Sequence, residues 1–196
     1  MHGLKTLLAS LAAALFALTA LPAMAQPREI EAVGDWTPDG IDVTFPDRIG
    51  EYERVRIVEY GPDDWSAGYT LIRNDKLVNA VTIYVYRTRE GESCDDEFRG
   101  SQQALTNANM GASLISESQA ASPSGTRAGT ARIARYSFKA KYDGVQQTVR
   151  SDLYLYCKPG TRWWVKARST WPEREPMENE PAMLMRAIVW PSNVAD

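Results

Sequence analysis

Acidic clusters, a pair of cysteines and a row of basic and aromatic residues are the features of this 196-residue sequence that could carry chemistry. Asp63 and Asp64 stand directly before Trp65, and two carboxylates beside an aromatic ring are the equipment of a glycosidase. A turn rich in Asp explains the same residues without any activity. Asp95, Asp96 and Glu97 could act as metal ligands or as an acid/base pair, but acids in a first helical turn are already explained by the helix dipole. Glu173, Glu175, Glu178 and Glu180 read most simply as a solvated connection. No G-x-S-x-G, Walker loop, dinucleotide glycine fingerprint or EF-hand spacing occurs, so no catalytic residue, metal ligand or cofactor is assigned.

Residues 1–25 hold one Lys, an apolar run from Leu7 to Leu21 and the small-residue site Ala23-Met24-Ala25, the pattern of a signal peptide. A retained membrane anchor is the weaker reading, because the run is only marginally long enough to span and ends at Pro22. Cleavage puts the mature N-terminus at Gln26 and gives a periplasmic or secreted address. No later segment is apolar enough to cross a bilayer, so no integral membrane segment is expected in the mature chain. Cleavage also removes His2, the only histidine, and with it imidazole shuttles, His-ligated metals and Ser-His or Cys-His machinery. Losing Lys5 and no acid leaves 21 Lys and Arg against 25 Asp and Glu, a formal charge of −4. That balance argues against nucleic acid as a partner, since phosphates need a basic face.

Cys94 and Cys157 are the only cysteines, and in an exported chain a disulfide is the expected outcome. Closing that loop stabilises the fold by about 4 kcal/mol in the chain-entropy account. A thiol nucleophile is the rival, but no histidine is present to activate it.

The elements that must position these residues centre on Arg132 to Trp171. Tyr142-Asp143-Gly144-Val145 reads as a type I′ hairpin, which pairs Phe138 with Val149, Ala134 with Leu153, and Arg135 with Asp152. At Pro159-Gly160-Thr161, a two- or four-residue loop sets Leu153 opposite Lys166 on the apolar face. A three-residue loop avoids this, pairing Leu155 with Val165, Leu153 with Ala167 and Val149 with Trp171. The second face then gathers Arg135, Lys139, Arg150, Lys166 and Arg168 among Tyr154, Tyr156 and Trp164. Guanidinium groups chelate carboxylate or phosphate and aromatic rings stack on sugars or apolar chains. The expected partners of such a face are an anionic glycan, a lipid head group, or an envelope protein offering an acidic peptide. The favoured structural alternative is that a helix covers the aromatics while Asp152 neutralises two arginines.

Upstream, residues 26–40 lack periodicity and read as a flexible lead-in, with Trp36 docking on the body. Ile41 to Phe45, Val55 to Tyr60, Gly68 to Arg73 and Lys76 to Arg87 read as strands, the last apolar on both faces and so central. Ser93 and Asp96 form a capping box for a helix over about 94–109, stopped by Gly111. Ala112 to Ser116 is a further strand candidate, and Glu117 to Thr130 a long loop. Pro181 suits the start of a last helix over about 179–190, apolar enough to be buried on several sides.

The expected fold is therefore a single α+β domain over 41–196, mainly an antiparallel twisted sheet with a long C-terminal meander (about 130–171) packed by two helices. Tyr142-Asp143-Gly144, Trp163-Trp164-Val165 and the terminal helix, in this order of elements, resemble the PsbP-like fold group of exported and lumenal proteins. The resemblance implies a binding or assembly module without catalytic machinery, and it assigns no residue a role. An exported, non-catalytic binding module is the leading expectation; a carboxylate-dependent hydrolase of envelope glycan is the alternative.

Overall fold

A computed structural model describes residues 26–157, 160–177, 180–191 and 194 of the chain. The expected signal peptide, residues 1–25, lies outside them, as do Pro159, Glu178 and Asn179. Strands β1 (Arg28–Glu29), β2 (Arg48–Ile49), β3 (Tyr52–Gly61), β4 (Asp64–Arg73) and β5 (Lys76–Arg87) precede helix α1 (Cys94–Ala108). Then come β6 (Ser113–Ala120), β7 (Ala131–Tyr142), β8 (Val145–Tyr156), β9 (Trp163–Pro172) and helix α2 (Glu180–Ala187). The strands form one antiparallel sheet in the order β1-β3-β4-β5-β9-β8-β7-β6, with β2 paired to β3. This is a single α+β domain, and β5, apolar on both faces, sits in its middle as expected.

Tight turns set the hairpins. Asn74 and Asp75 have φ of 51° and 58°, and Asp143 and Gly144 have φ of 51° and 77°, the left-handed pair that a I′ turn requires. The β7–β8 register is the expected one, with Phe138 opposite Val149, Ala134 opposite Leu153, Arg135 opposite Asp152 and Tyr142 opposite Val145.

Between β8 and β9 the register differs from expectation by one residue. Leu153 faces Arg168 and Leu155 faces Lys166, while Tyr154 faces Ala167 and Asp152 faces Ser169. Because strand side chains alternate, this slip turns the whole of β9 over. Trp163, Val165, Ala167 and Trp171 join Tyr154 and Tyr156 in a core covered by the N-terminal segment and the residues around α2, where Leu184, Met185, Ile188 and Trp190 are buried. The choice of a three-residue loop, made to keep Lys166 off the face of Leu153, weighed only sheet residues. It missed α1, which supplies what Lys166 needs: the ammonium meets Glu97 Oε1 at 3.3 Å and Ser101 Oγ at 3.1 Å, over the rings of Tyr84 and Tyr86.

The other face packs Phe98 and Leu105 of α1 on Ala134, Tyr136, Phe138, Val149, Leu153, Leu155 and Trp164. The capping box is present, with the Ser93 hydroxyl accepting from the Asp96 backbone and the Asp96 carboxylate accepting from Ser93 N–H. Cys94 and Cys157 form the disulfide, closing a separation of 63 residues and tying the start of α1 to the end of β8.

Three further expectations change. Trp36 docks on the body as expected, exchanging backbone bonds with Phe45 under ring stacking at 5.9 Å, but residues 26–40 are tied down at a second place, where Ile30 donates to Ile57 O at 3.0 Å. The strand expected to end at Ser116 continues to Ala120, which shortens the loop that follows. Helix α2 ends at Ala187 and is buried on one side only, since Met183 is 56% exposed.

Reduction of the disulfide, or Cys94→Ser with Cys157→Ser, should cost about 4 kcal/mol and lower the melting temperature by about 10 °C in a thermal scan. Glu97→Gln should cost about 2 kcal/mol in denaturant unfolding, because it leaves a half-buried ammonium without its carboxylate. Adding Lys166→Met should recover most of that loss; a double variant as unstable as the two single losses combined would show that the pair is not coupled.

Candidate functional site

The eight residues read from the sequence as one basic, aromatic face lie on two. Arg135, Lys139, Arg150, Tyr154 and Tyr156 share the face beneath the α2 region, whereas Trp164, Lys166 and Arg168 lie on the face beneath α1. On the first face the aromatics are core: Tyr154 and Tyr156 are 2% and 4% exposed and stack at 6.1 Å. Burial raises both hydroxyls, that of Tyr154 to about 12 with nearby Asp152 contributing. Arg135 pairs with the buried Asp152 carboxylate at 3.2 Å, and Arg150 with Glu173 at 2.6 Å. Lys139 is exposed. Burial of the aromatics, the alternative favoured on sequence grounds, is what happens here, but Asp152 faces Arg135 and not Arg168.

On the α1 face a different arrangement emerges. Glu97, one turn into α1, receives hydrogen bonds from the Tyr86 hydroxyl, the Ser101 hydroxyl at 2.8 Å and the Lys166 ammonium. Burial and this neighbouring carboxylate push the Tyr86 hydroxyl far above its ordinary range. Trp164 packs edge-on against Tyr86 at 6.1 Å. Lys166 and Glu97 therefore cancel each other.

Arg168, two residues further along the strand, has no such partner. Its Nε donates to the Ser151 hydroxyl at 3.3 Å, and among the described residues no carboxylate lies within ion-pair distance. Loss of hydration lowers its pKa from the ordinary arginine value, with Tyr84 opposing, so this is a half-buried cation with no carboxylate in contact among the described residues. It borders a cleft of about 180 Å³ lined by Tyr84 of β5, Ser101, Ala104 and Leu105 of α1, Leu153 of β8, and Lys166. Loss of hydration likewise raises the Tyr84 hydroxyl, with Arg168 opposing.

Two members of this cleft, Lys166 and Arg168, were candidates from the sequence. Tyr84, Ser101, Ala104, Leu105 and Leu153 were not, although the alternation that puts Tyr84 and Tyr86 on the second face of β5 was visible. The missing signal was the β9 register, which alone brings Arg168 beneath the helix.

The acidic clusters do not assemble into a site. Asp63, at the turn with φ of 61°, pairs with Arg87 at 2.6 Å. Arg87 lies over the Trp163 ring on the α2 side. Asp64, first residue of β4 and opposite Tyr86, lies on the α1 side, where partial burial raises its carboxyl and Lys166 opposes the rise. Neighbours on opposite faces cannot flank one glycosidic bond. Asp95 pairs with Arg132, Asp96 caps the helix and binds Arg99, and Glu97 serves Lys166. Among the described residues, no group of three or more His, Cys, Asp or Glu could hold a metal ion. Nor is any described helix long and apolar enough to cross a membrane.

No protein-family model and no curated protein matches the chain. Solved structures do: the 1.9 Å crystal structure of the Saccharomyces cerevisiae Ran-binding protein Mog1p is 14% identical, covers 82% of this chain and 88% of its own, and superposes with a TM-score of 0.43. A mutant of Mog1 gives 14% identity, 83% and 89% coverage and the same TM-score. These matches correct two expectations. Both of these structures are of Mog1 and neither is of the PsbP-like group, which corrects that resemblance, and the periplasmic or secreted address finds no support in them and is not carried forward. At this level of superposition the likeness transfers no partner and no residue role.

Proposed function

We propose that this chain is a non-catalytic binding module that captures an anionic group in the cleft between α1 and strands β5, β8 and β9. The observation that carries the reading is Arg168. A guanidinium partly withdrawn from water costs folding free energy unless something negative meets it, and buried charges are ordinarily paired. A cation kept unpaired at the wall of an open cleft is accounted for if its counter-charge arrives on a ligand. The other basic candidates contrast with it by being already paired: Lys166 by Glu97 on this face, and Arg135 by Asp152 and Arg150 by Glu173 on the other. Acid/base chemistry gains little support, since Asp96 serves the helix cap, Asp95 and Glu97 serve ion pairs, and Asp64 is not among the residues that line the cleft.

A panel of anions, namely aliphatic and aromatic carboxylates, inorganic phosphate and a uronic acid, should be screened by thermal shift and ligand-observed NMR. At least one class should raise the melting temperature of the wild type and lose that effect in Arg168→Gln. The variant itself should melt no lower than the wild type, because it removes an unpaired charge. If no anion binds, or if Arg168→Gln binds as well as the wild type, the reading fails.

A further inference from the structure

We propose that the ligand of this cleft is a single carboxylate carried on a small apolar body, with the Arg168 guanidinium taking the carboxylate and the walls of Leu105, Leu153, Ala104 and Tyr84 taking the rest. The inference rests on the anion-binding reading given above and narrows it to one chemistry. Charge is the first argument. Lys166 pairs with Glu97 at 3.3 Å and opposes the rise of the Asp64 carboxyl, so Arg168 is the lining cation with no carboxylate in contact among the described residues, and a single carboxylate supplies that contact. A phosphate dianion carries a second charge that Lys166, already paired with Glu97, does not meet.

Geometry is the second argument. Ser151 occupies Nε of Arg168, and no hydrogen bond from the two terminal nitrogens is formed among the described residues. Those two nitrogens present parallel N–H groups, the fork that a planar carboxylate accepts with both oxygens. The Lys166 ammonium and Ser101 hydroxyl are bonded to each other at 3.1 Å and to Glu97, which leaves them to form a fixed polar rim.

Size is the third. A space of about 180 Å³ corresponds to about six waters of liquid volume, well below the pockets that hold drug-sized ligands. It accommodates a body of hexanoate or benzoate size, and either a free organic acid or the C-terminal residue of a peptide presents that chemistry.

Isothermal titration of the full chain tests this with hexanoate, hexan-1-ol, inorganic phosphate, and a pentapeptide ending in leucine as the free acid or the amide. Hexanoate or the free-acid peptide should bind, with at least tenfold weaker binding to Arg168→Gln and none of hexan-1-ol or the amide. Tighter binding of hexanoate than of the peptide assigns the site to free acids, and the reverse order assigns it to chain termini. Leu105→Asn, at the apolar wall, should weaken hexanoate several-fold while its circular dichroism stays that of the wild type. If Leu105→Asn misfolds, the hexan-1-ol and phosphate arms still decide the matter. Arg168-dependent binding of phosphate in place of hexanoate would overturn the carboxylate assignment while the anion-binding reading stood. Absence of binding by every anion would overturn both.

Discussion

The register of β9 on β8 is the constraint on which the rest of this structure depends. One residue of slip decides which of two alternating sets faces which layer: Trp163, Val165, Ala167, Ser169 and Trp171, or Trp164, Lys166, Arg168 and Thr170. The observed choice places the larger apolar set beneath the N-terminal segment and the α2 region, where Val165 and Ala167 are fully buried and Trp163 and Trp171 nearly so. At about 25 cal/mol per Å² of apolar surface, burying two indole rings outweighs placing one lysine near leucines. The lysine cost is then offset locally, by Glu97.

Helix α1 can meet that need because several ties fix where it lies. The capping box starts it at Ser93, and the disulfide holds its first residue to the end of β8. Asp95 pairs with Arg132, whose guanidinium covers the ring of Phe98 at 4.2 Å, and Gln102 bonds Glu117 of the edge strand β6 at 2.7 Å. Phe98 and Leu105 fill the interface. A helix held at its start and along one side sits at a set height over the sheet. Beside it, toward β5, the space bounded by Tyr84, Leu153 and Arg168 stays open.

The same register separates charges that would otherwise quench one another. With β9 shifted by one, Asp152 would lie between Arg135 and Arg168, and both guanidinium groups would share one carboxylate. In the fold as it stands, Asp152 serves Arg135 on the far face and Arg168 is carried through the sheet to the cleft. The unpaired cation is thus a consequence of how the core sorts its aromatics.

The sequence alone determined the local structure wherever the cause was local. Asp143-Gly144 specified its hairpin and the β7–β8 pairing, Ser93 and Asp96 specified the start of α1, two cysteines left one pairing, and the apolar residues on both sides of Lys76–Arg87 marked a central strand. The β8–β9 register was not legible, because the loop at Pro159-Gly160-Thr161 permits several lengths and the choice among them is made by two layers distant in sequence. Glu97 lies 69 residues from Lys166, and the residues that cover Trp163 and Trp171 come from both ends of the described chain. With the register went the site. Lys166 and Arg168 were visible as basic residues at alternate positions, but whether they shared a face with Tyr154 or with Leu153 was settled only when the sheet acquired a helix on one side and an aromatic core on the other. Alternation in a strand fixes which residues go together and leaves open which way they point, and that choice belongs to tertiary packing.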